Sequence, residues 1–126
     1  MIAIASGLEL DVERGPDWLI VRIQSKEVGQ EDVPPLAEQV WSLLERHFTH
    51  RLVLDLDRIS VLNSYLIGQL IQLYRKIGEH DGVMRLCGLS AYNRRVLHTC
   101  RLDDRFRSYE DRQEAVMGFT RPSQPR

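Results

Sequence analysis

With 126 residues the chain is long enough for one domain with a real hydrophobic core and too short for two. Hydrophobic residues at 43% and charged residues at 28% give the balance of a soluble globular protein. A net charge of −1 offers no general attraction to nucleic acid or to an anionic membrane, and no apolar run is long enough to span a bilayer. Recognition of nucleic acid through bulk basicity and membrane insertion are therefore set aside.

The opening MIAIA is too short for a signal-peptide core and has no basic flank. LELDVER (8–14) alternates apolar and charged residues, the pattern of a strand with one wet face. Gly15, Pro16 and Asp17 make a turn, and WLIVRI (18–23) runs back as a mostly buried strand, so a hairpin is expected. SKEVGQEDVPP carries Gly29, Pro34 and Pro35 and predicts a loop that delivers Pro35 near the first turn of a helix. Leu36, Val40, Leu43, Leu44 and Phe48 fall at helical spacing beside Ala37 and Trp41, and that helix is expected to end near Thr49.

LVLDL (52–56) predicts a central strand covered on both faces. A second helix is expected over roughly 64–78, with Leu66, Leu70, Leu73 and Ile77 as its inner stripe and Ile67, Ile71 and Tyr74 widening it. VMRLCG (83–88) predicts another strand, bracketed on its near side by a polar turn between Gly78 and Gly82. Ser90 is expected to cap a third helix with Val96, Leu97 and Cys100 inward and Asn93, Arg94, Arg95 and His98 mostly outward. FRSYE (106–110) predicts a short strand or extended segment, DRQEAVMGF (111–119) a brief last helix, and TRPSQPR a polar tail. The expected order is β-β-α-β-α-β-α-(β)-α: one α/β domain over 1–118, with about four to five strands in a mixed sheet, helices packed on it, and a flexible tail at 119–126.

Five candidate sites arise from the residues themselves. Asp55 and Asp57 follow an apolar strand with the spacing of phosphatases in which one carboxylate attacks phosphorus and the other handles the proton. That enzyme fold needs more chain than remains here, including a later lysine and a further acidic pair in a proper site, and Asp103-Asp104 follows a helix rather than a strand, so a solvated strand end is the expected reading and no enzyme is expected. The four histidines complete no ligand set at recognised spacing; His47 and His50 lie at a helix end, where the dipole favours them. No metal and no cofactor are expected. Cys87 and Cys100 lack CxxC spacing and are expected as buried reduced thiols, and a cytoplasmic location is expected. Arg94, Arg95, Arg101, Arg105 and Arg107 are largely neutralised by Asp103, Asp104, Glu110 and Asp111, the pattern of a solvated face rather than a docking patch.

The fifth candidate is Ser64, in RISVLNSYLIGQLIQLY (58–74), where a loop becomes a helix at the carboxyl end of the central strand. No GxSxG surrounds it, so a hydrolase elbow is not indicated. A hydroxyl there faces unpaired N–H groups and the positive end of the helix dipole. It can cap the helix, a role that Asn63 fills equally well, or it can carry a phosphate held by the same N–H groups. The pattern of residues leaves both open.

RISVLNSYLIG resembles the signature of STAS domains, the module shared by sulfate transporters and bacterial anti-sigma factor antagonists, in which an apolar strand leads to a loop reading roughly Asp-Ser-Ser-Gly-x-Gly at a helix start. GVMRLCGLSAYNRRVLHTCRLDDRFRSYEDRQEAV is similar to the family's later strand, Ser-initiated helix, Leu-Asp turn and acidic final helix. By position, Ser64 corresponds to the serine that the family's partner kinase phosphorylates, and Gly68 to the motif's last glycine, where a close approach of sheet or partner would explain the missing side chain. Asn63 stands where the family has aspartate, and Tyr65 and Leu66 replace a small Ser-Gly pair, making the helix entry bulkier. The resemblance implies a non-enzymatic bacterial phosphoprotein of transcription signalling. It would bind an anti-sigma factor or serine kinase through Arg58, Ser60, Asn63, Ser64, Tyr65 and Gly68, with phosphorylation of Ser64 ending the binding. Within the same family the alternative is a subunit bound constitutively to the ATPase of a lipid-asymmetry ABC transporter. Tyr65 is expected either as an exposed contact anchor or buried against the sheet.

Overall fold

The fold is that of a computed structural model, which describes residues 1–5, 7–25 and 33–118. Six strands form one sheet in sequence order: β1 (Ile2–Ala5), β2 (Leu8–Arg14), β3 (Leu19–Ser25), β4 (Arg51–Arg58), β5 (Val83–Cys87) and β6 (Ser108–Tyr109). The first two pairings are antiparallel and the last three parallel, so the domain is mixed α/β as expected, with six strands rather than four or five. The added strand is β1, which pairs Ile2 with Asp11 and Ala5 with Leu8. It turns its small residues Ala3 and Ala5 to the core and leaves Ile2 exposed, the reverse of the usual hydrophobic alternation.

Four helices complete the order: α1 (Leu36–Arg46), α2 (Ser64–Glu79), α3 (Ala91–Thr99) and α4 (Arg112–Met117). The inner residues of α1, α2 and α3 join Leu52, Leu54 and Leu56 of β4 in the main core. On the other face α4 sits over a smaller cluster in which Ala115 meets Trp18, Val53 and Cys87. Strand β4 is therefore covered on both sides, which its continuous apolar run anticipated. The hairpin closes where Gly15 N donates to Trp18 O at 2.8 Å.

Helix α1 ends earlier than its apolar stripe suggests. His47 is its C-cap, and Phe48 adopts a left-handed φ of 55° that swings the ring out of phase with the stripe, leaving it 94% exposed. Residues 26–32 of the expected loop SKEVGQEDVPP (25–35) and the expected tail at 119–126 lie outside the described residues. Among the described residues no helix is long and apolar enough to cross a membrane.

Candidate protein-docking site

Strand β4 delivers the chain at Arg58 to a loop that enters α2 at Ser64. The loop alternates its fate residue by residue. Ile59 and Leu62 are buried and plug into the main core, while Ser60, Val61, Asn63 and Ser64 are exposed. A cleft of about 380 Å³ lies beside it, running from Ser60, Val61 and Asn63 to Ser25 at the end of β3 and Gly7 in the β1–β2 turn. All six sequence-predicted contact residues fall at this end of the sheet, and all but the half-buried Gly68 are exposed.

The cap of α2 is Asn63: its Oδ1 accepts a hydrogen bond from Leu66 N at 2.9 Å. Ser64 is thus the first helical residue, and its hydroxyl makes no hydrogen bond among the described residues. The alternative in which Ser64 itself caps the helix is overturned by this geometry. Its backbone N–H and that of Tyr65 belong to the first turn, where no intrahelical carbonyl is available to them.

Tyr65 is exposed rather than buried against the sheet. Its residue is 41% exposed, yet its hydroxyl accepts from Leu36 N, the first amide of α1, at 3.2 Å. One turn on, the buried Gln69 Oε1 accepts from Ala37 N at 2.8 Å. Pro35 precedes α1 without any side-chain cap, so two side chains of α2 supply what the local sequence lacks. Gly68, between them in sequence, does not mark a tight approach to the sheet. A Cβ built there meets no atom within 4 Å.

Asn93 is the largest departure from the sequence expectation. It is fully buried rather than outward: Nδ2 donates to Ile59 O at 3.0 Å and Oδ1 accepts from Leu62 N at 3.0 Å. Its own backbone N–H is held by the Ser90 Oγ, at 3.1 Å, so the predicted cap of α3 is present. Polarity alone had argued for the surface. A buried amide answering two loop groups leaves no periodic signal.

Asp55 and Asp57 share the sheet face away from α1 and α2, but Asp55 is not solvated. It is 5% exposed, and its Oδ2 accepts from Arg112 Nε of α4 at 2.7 Å. Arg22 Nε approaches both carboxylates, at 3.7 Å from Asp55 and 3.1 Å from Asp57. Arg112 also reaches Glu13 Oε1 at 2.7 Å, so the cluster fastens α4 to β2 and β4. Gly88 is required here: its φ is +75°, and a Cβ would stand 2.7 Å from Asp55 Oδ1.

Cys87 lies next to this cluster, and burial, reinforced by the Asp55 charge, pushes its thiol up to about 12. Cys100 is exposed rather than buried, because it caps the end of α3 and not its inner face. His47 does bond the last turn of α1, through Leu43 O at 2.9 Å, whereas His50 stacks on Trp41. His98 pairs with Asp103 at 2.7 Å, and that hydrogen bond raises the imidazole above its ordinary value. Arg94 approaches Glu110 at 3.9 Å, with both side chains exposed, in keeping with a solvated charged face. Among the described residues no group of three His, Cys, Asp or Glu side chains is placed to hold a metal.

Several solved structures share this fold. An anti-sigma factor antagonist from Mycobacterium paratuberculosis matches with a TM-score of 0.71 and 21% identity, over 91% of this chain and 97% of that one. A serine-to-glutamate variant of RsbS from Moorella thermoacetica matches with a TM-score of 0.71 and 18% identity, over 86% and 92%. The protein TM1081, a putative anti-sigma factor antagonist from Thermotoga maritima, matches in its NMR structure with a TM-score of 0.72 and 20% identity, over 84% of each chain. At these identities the likeness is one of fold. A family model for the STAS domain matches residues 9–115, from the second strand to the last helix, and the chain belongs to the STAS domain family.

Proposed function

We propose that this STAS domain is a non-enzymatic switch that docks an anti-sigma factor or serine kinase on the β4–α2 loop and the start of α2, and that phosphorylation of Ser64 ends the docking. One observation carries the reading: with Asn63 already capping α2, the Ser64 hydroxyl stands exposed and unbonded among the described residues, at the positive end of a 16-residue helix. A phosphate there adds roughly −1.5 to −2 charges without breaking any bond of the fold, and the first-turn amides can hold it. On a partner-facing surface the same charge opposes docking through desolvation and repulsion.

The similar proteins support this kind of role: two are described as anti-sigma factor antagonists, and a further match at a TM-score of 0.66 comes from a structure of the stressosome, a signal integration and transduction hub. The test is to incubate the purified protein with ATP and a serine kinase of the anti-sigma factor type, and to map phosphate by mass spectrometry. One phosphate per chain, absent from Ser64→Ala, supports the switch. Stable co-purification with a transporter ATPase, with Ser64 unmodified in cells, would establish the constitutive-subunit alternative instead. A magnesium-dependent phosphatase activity abolished by Asp55→Asn would overturn both.

A further inference from the structure

The β4–α2 loop buries two side chains, Ile59 and Leu62, three residues apart. Their backbone groups follow them inward, where water does not reach and a partner is obligatory. The loop cannot pair with a strand there, because β4 has ended at Arg58. Asn93 supplies the missing partner from α3, presenting a donor and an acceptor as a peptide unit of a neighbouring strand would. The two bonds also fix which way the amide faces, since only this orientation puts a donor on the carbonyl and an acceptor on the N–H.

We infer that Asn93 is the positioning residue of the docking loop: its amide clips Ile59 to Leu62 and so holds Ser60, Val61, Asn63 and Ser64 outward as a preformed surface. The inference rests on the docking role proposed above. The clip joins a relay of caps. Ser90 holds Asn93 N, Asn93 holds Leu62 N, and the next residue, Asn63, holds Leu66 N. Leu62 N in the loop is anchored to α3, and Leu66 N in the first turn of α2 is anchored back to the loop. Val61, exposed at 51%, stands at the apex between the two clipped residues and adds an apolar contact that the sequence had not singled out. A loop held in this way meets its partner without an ordering cost, which favours fast and tight docking.

Amide hydrogen exchange on the free protein tests the clip. In the native chain the Asn93 side-chain amide protons should exchange slowly, and rapid exchange there would overturn the inference at once. In Asn93→Leu, the Leu62 amide should exchange at least tenfold faster while Leu54 in β4 changes far less. The comparison is Ile20→Val, a core truncation on the opposite sheet face, in which both amides should shift together. Asn93→Ala, which removes both bonds with a smaller apolar side chain, serves if the leucine variant does not fold; its Leu62 amide should likewise exchange at least tenfold faster while Leu54 changes far less.

The functional arm is phosphorylation of Ser64 by the kinase, where kcat/KM should fall at least tenfold in the folded Asn93 variant and by less than twofold in Ile20→Val. Equal losses in both variants would make Asn93 merely structural and sink the inference. If the native protein takes no phosphate at Ser64, the switch reading fails, and the exchange data still decide whether the clip exists.

Discussion

Gln69 of α2 caps the neighbouring helix α1: its Oε1 accepts the Ala37 amide at 2.8 Å in a buried setting. Together with Tyr65 on Leu36 N, it ties the helix that begins at the β4–α2 loop to the helix that follows Pro35. Gln69→Leu keeps the volume and removes the acceptor, leaving the Ala37 amide buried and unmatched. The expected loss is ~1–3 kcal/mol, measured by urea unfolding. Tyr65→Phe strands a partly solvated amide only, and a smaller loss of ~0.5–1.5 kcal/mol is expected.

Gly68 separates stability from docking. Its Cβ position is open, so Gly68→Ala should stabilise α2 by ~1 kcal/mol through helix propensity alone. If a partner lies close over the start of α2, the same methyl group weakens its binding. Opposite signs in thermal melting and in partner affinity are the expected pair of results. A variant that gains stability and keeps full affinity would place the partner away from this turn.

Much of this arrangement was legible in the sequence, and the failures have physical reasons. The apolar stripe of α2, the cap at Ser90 and the doubly covered β4 all follow from local rules of spacing and capping, while those rules left Asn63 and Ser64 as equal candidates for the cap of α2. What local rules miss is a polar group turned inward to answer another segment. Asn93 answers a loop 31 and 34 residues away, and Arg112 answers Asp55 across 57 residues. Strand β1 was hidden for a different reason, since alanine faces the core and isoleucine the solvent.

The Asp55–Arg112 pair should matter for α4 and not for docking. Asp55→Asn takes away the charged partner of Arg112 Nε and leaves Glu13 as the guanidinium's remaining carboxylate, and a loss of ~1.5–3 kcal/mol in unfolding free energy is expected. Phosphorylation of Ser64 in the folded variant should keep its native rate, because the pair lies on the opposite sheet face from the core that seats the loop. A rate falling as steeply as in an Asn93 variant would contradict that separation.

His98 and Asp103 give a pH signature on the exposed side of α3. The imidazole, raised above its ordinary 6.5 by its hydrogen bond to Asp103, supports the fold fully below 6.5 and loses that support as pH rises through its folded value. The carboxylate is lowered below 3.8 by the same bond, so its share is lost as pH falls through its own folded value. The pair therefore acts best in the window between 3.8 and 6.5. An NMR titration should find His98 protonating above 6.5, and Asp103→Asn should bring it back toward that value.

The two thiols should separate cleanly in reactivity. Cys100 is exposed, while Cys87 is buried with its thiol near 12 and stays protonated at ordinary pH. A thiol reagent at pH 8 should label one cysteine per native chain and two after unfolding. Fast labelling of Cys87 in the native protein would mean that α4 lifts from the sheet.

The central claim is that charge at Ser64 governs docking without disturbing the fold. Its most direct measurement is the affinity of the purified anti-sigma or kinase partner for three forms of the protein: unmodified, Ser64→Asp, and enzymatically phosphorylated. The account predicts at least a tenfold loss of affinity in the phosphorylated form and a smaller loss in Ser64→Asp, with thermal stability unchanged or raised by ~0.3–1 kcal/mol in the aspartate variant. Equal affinity for all three forms would contradict it.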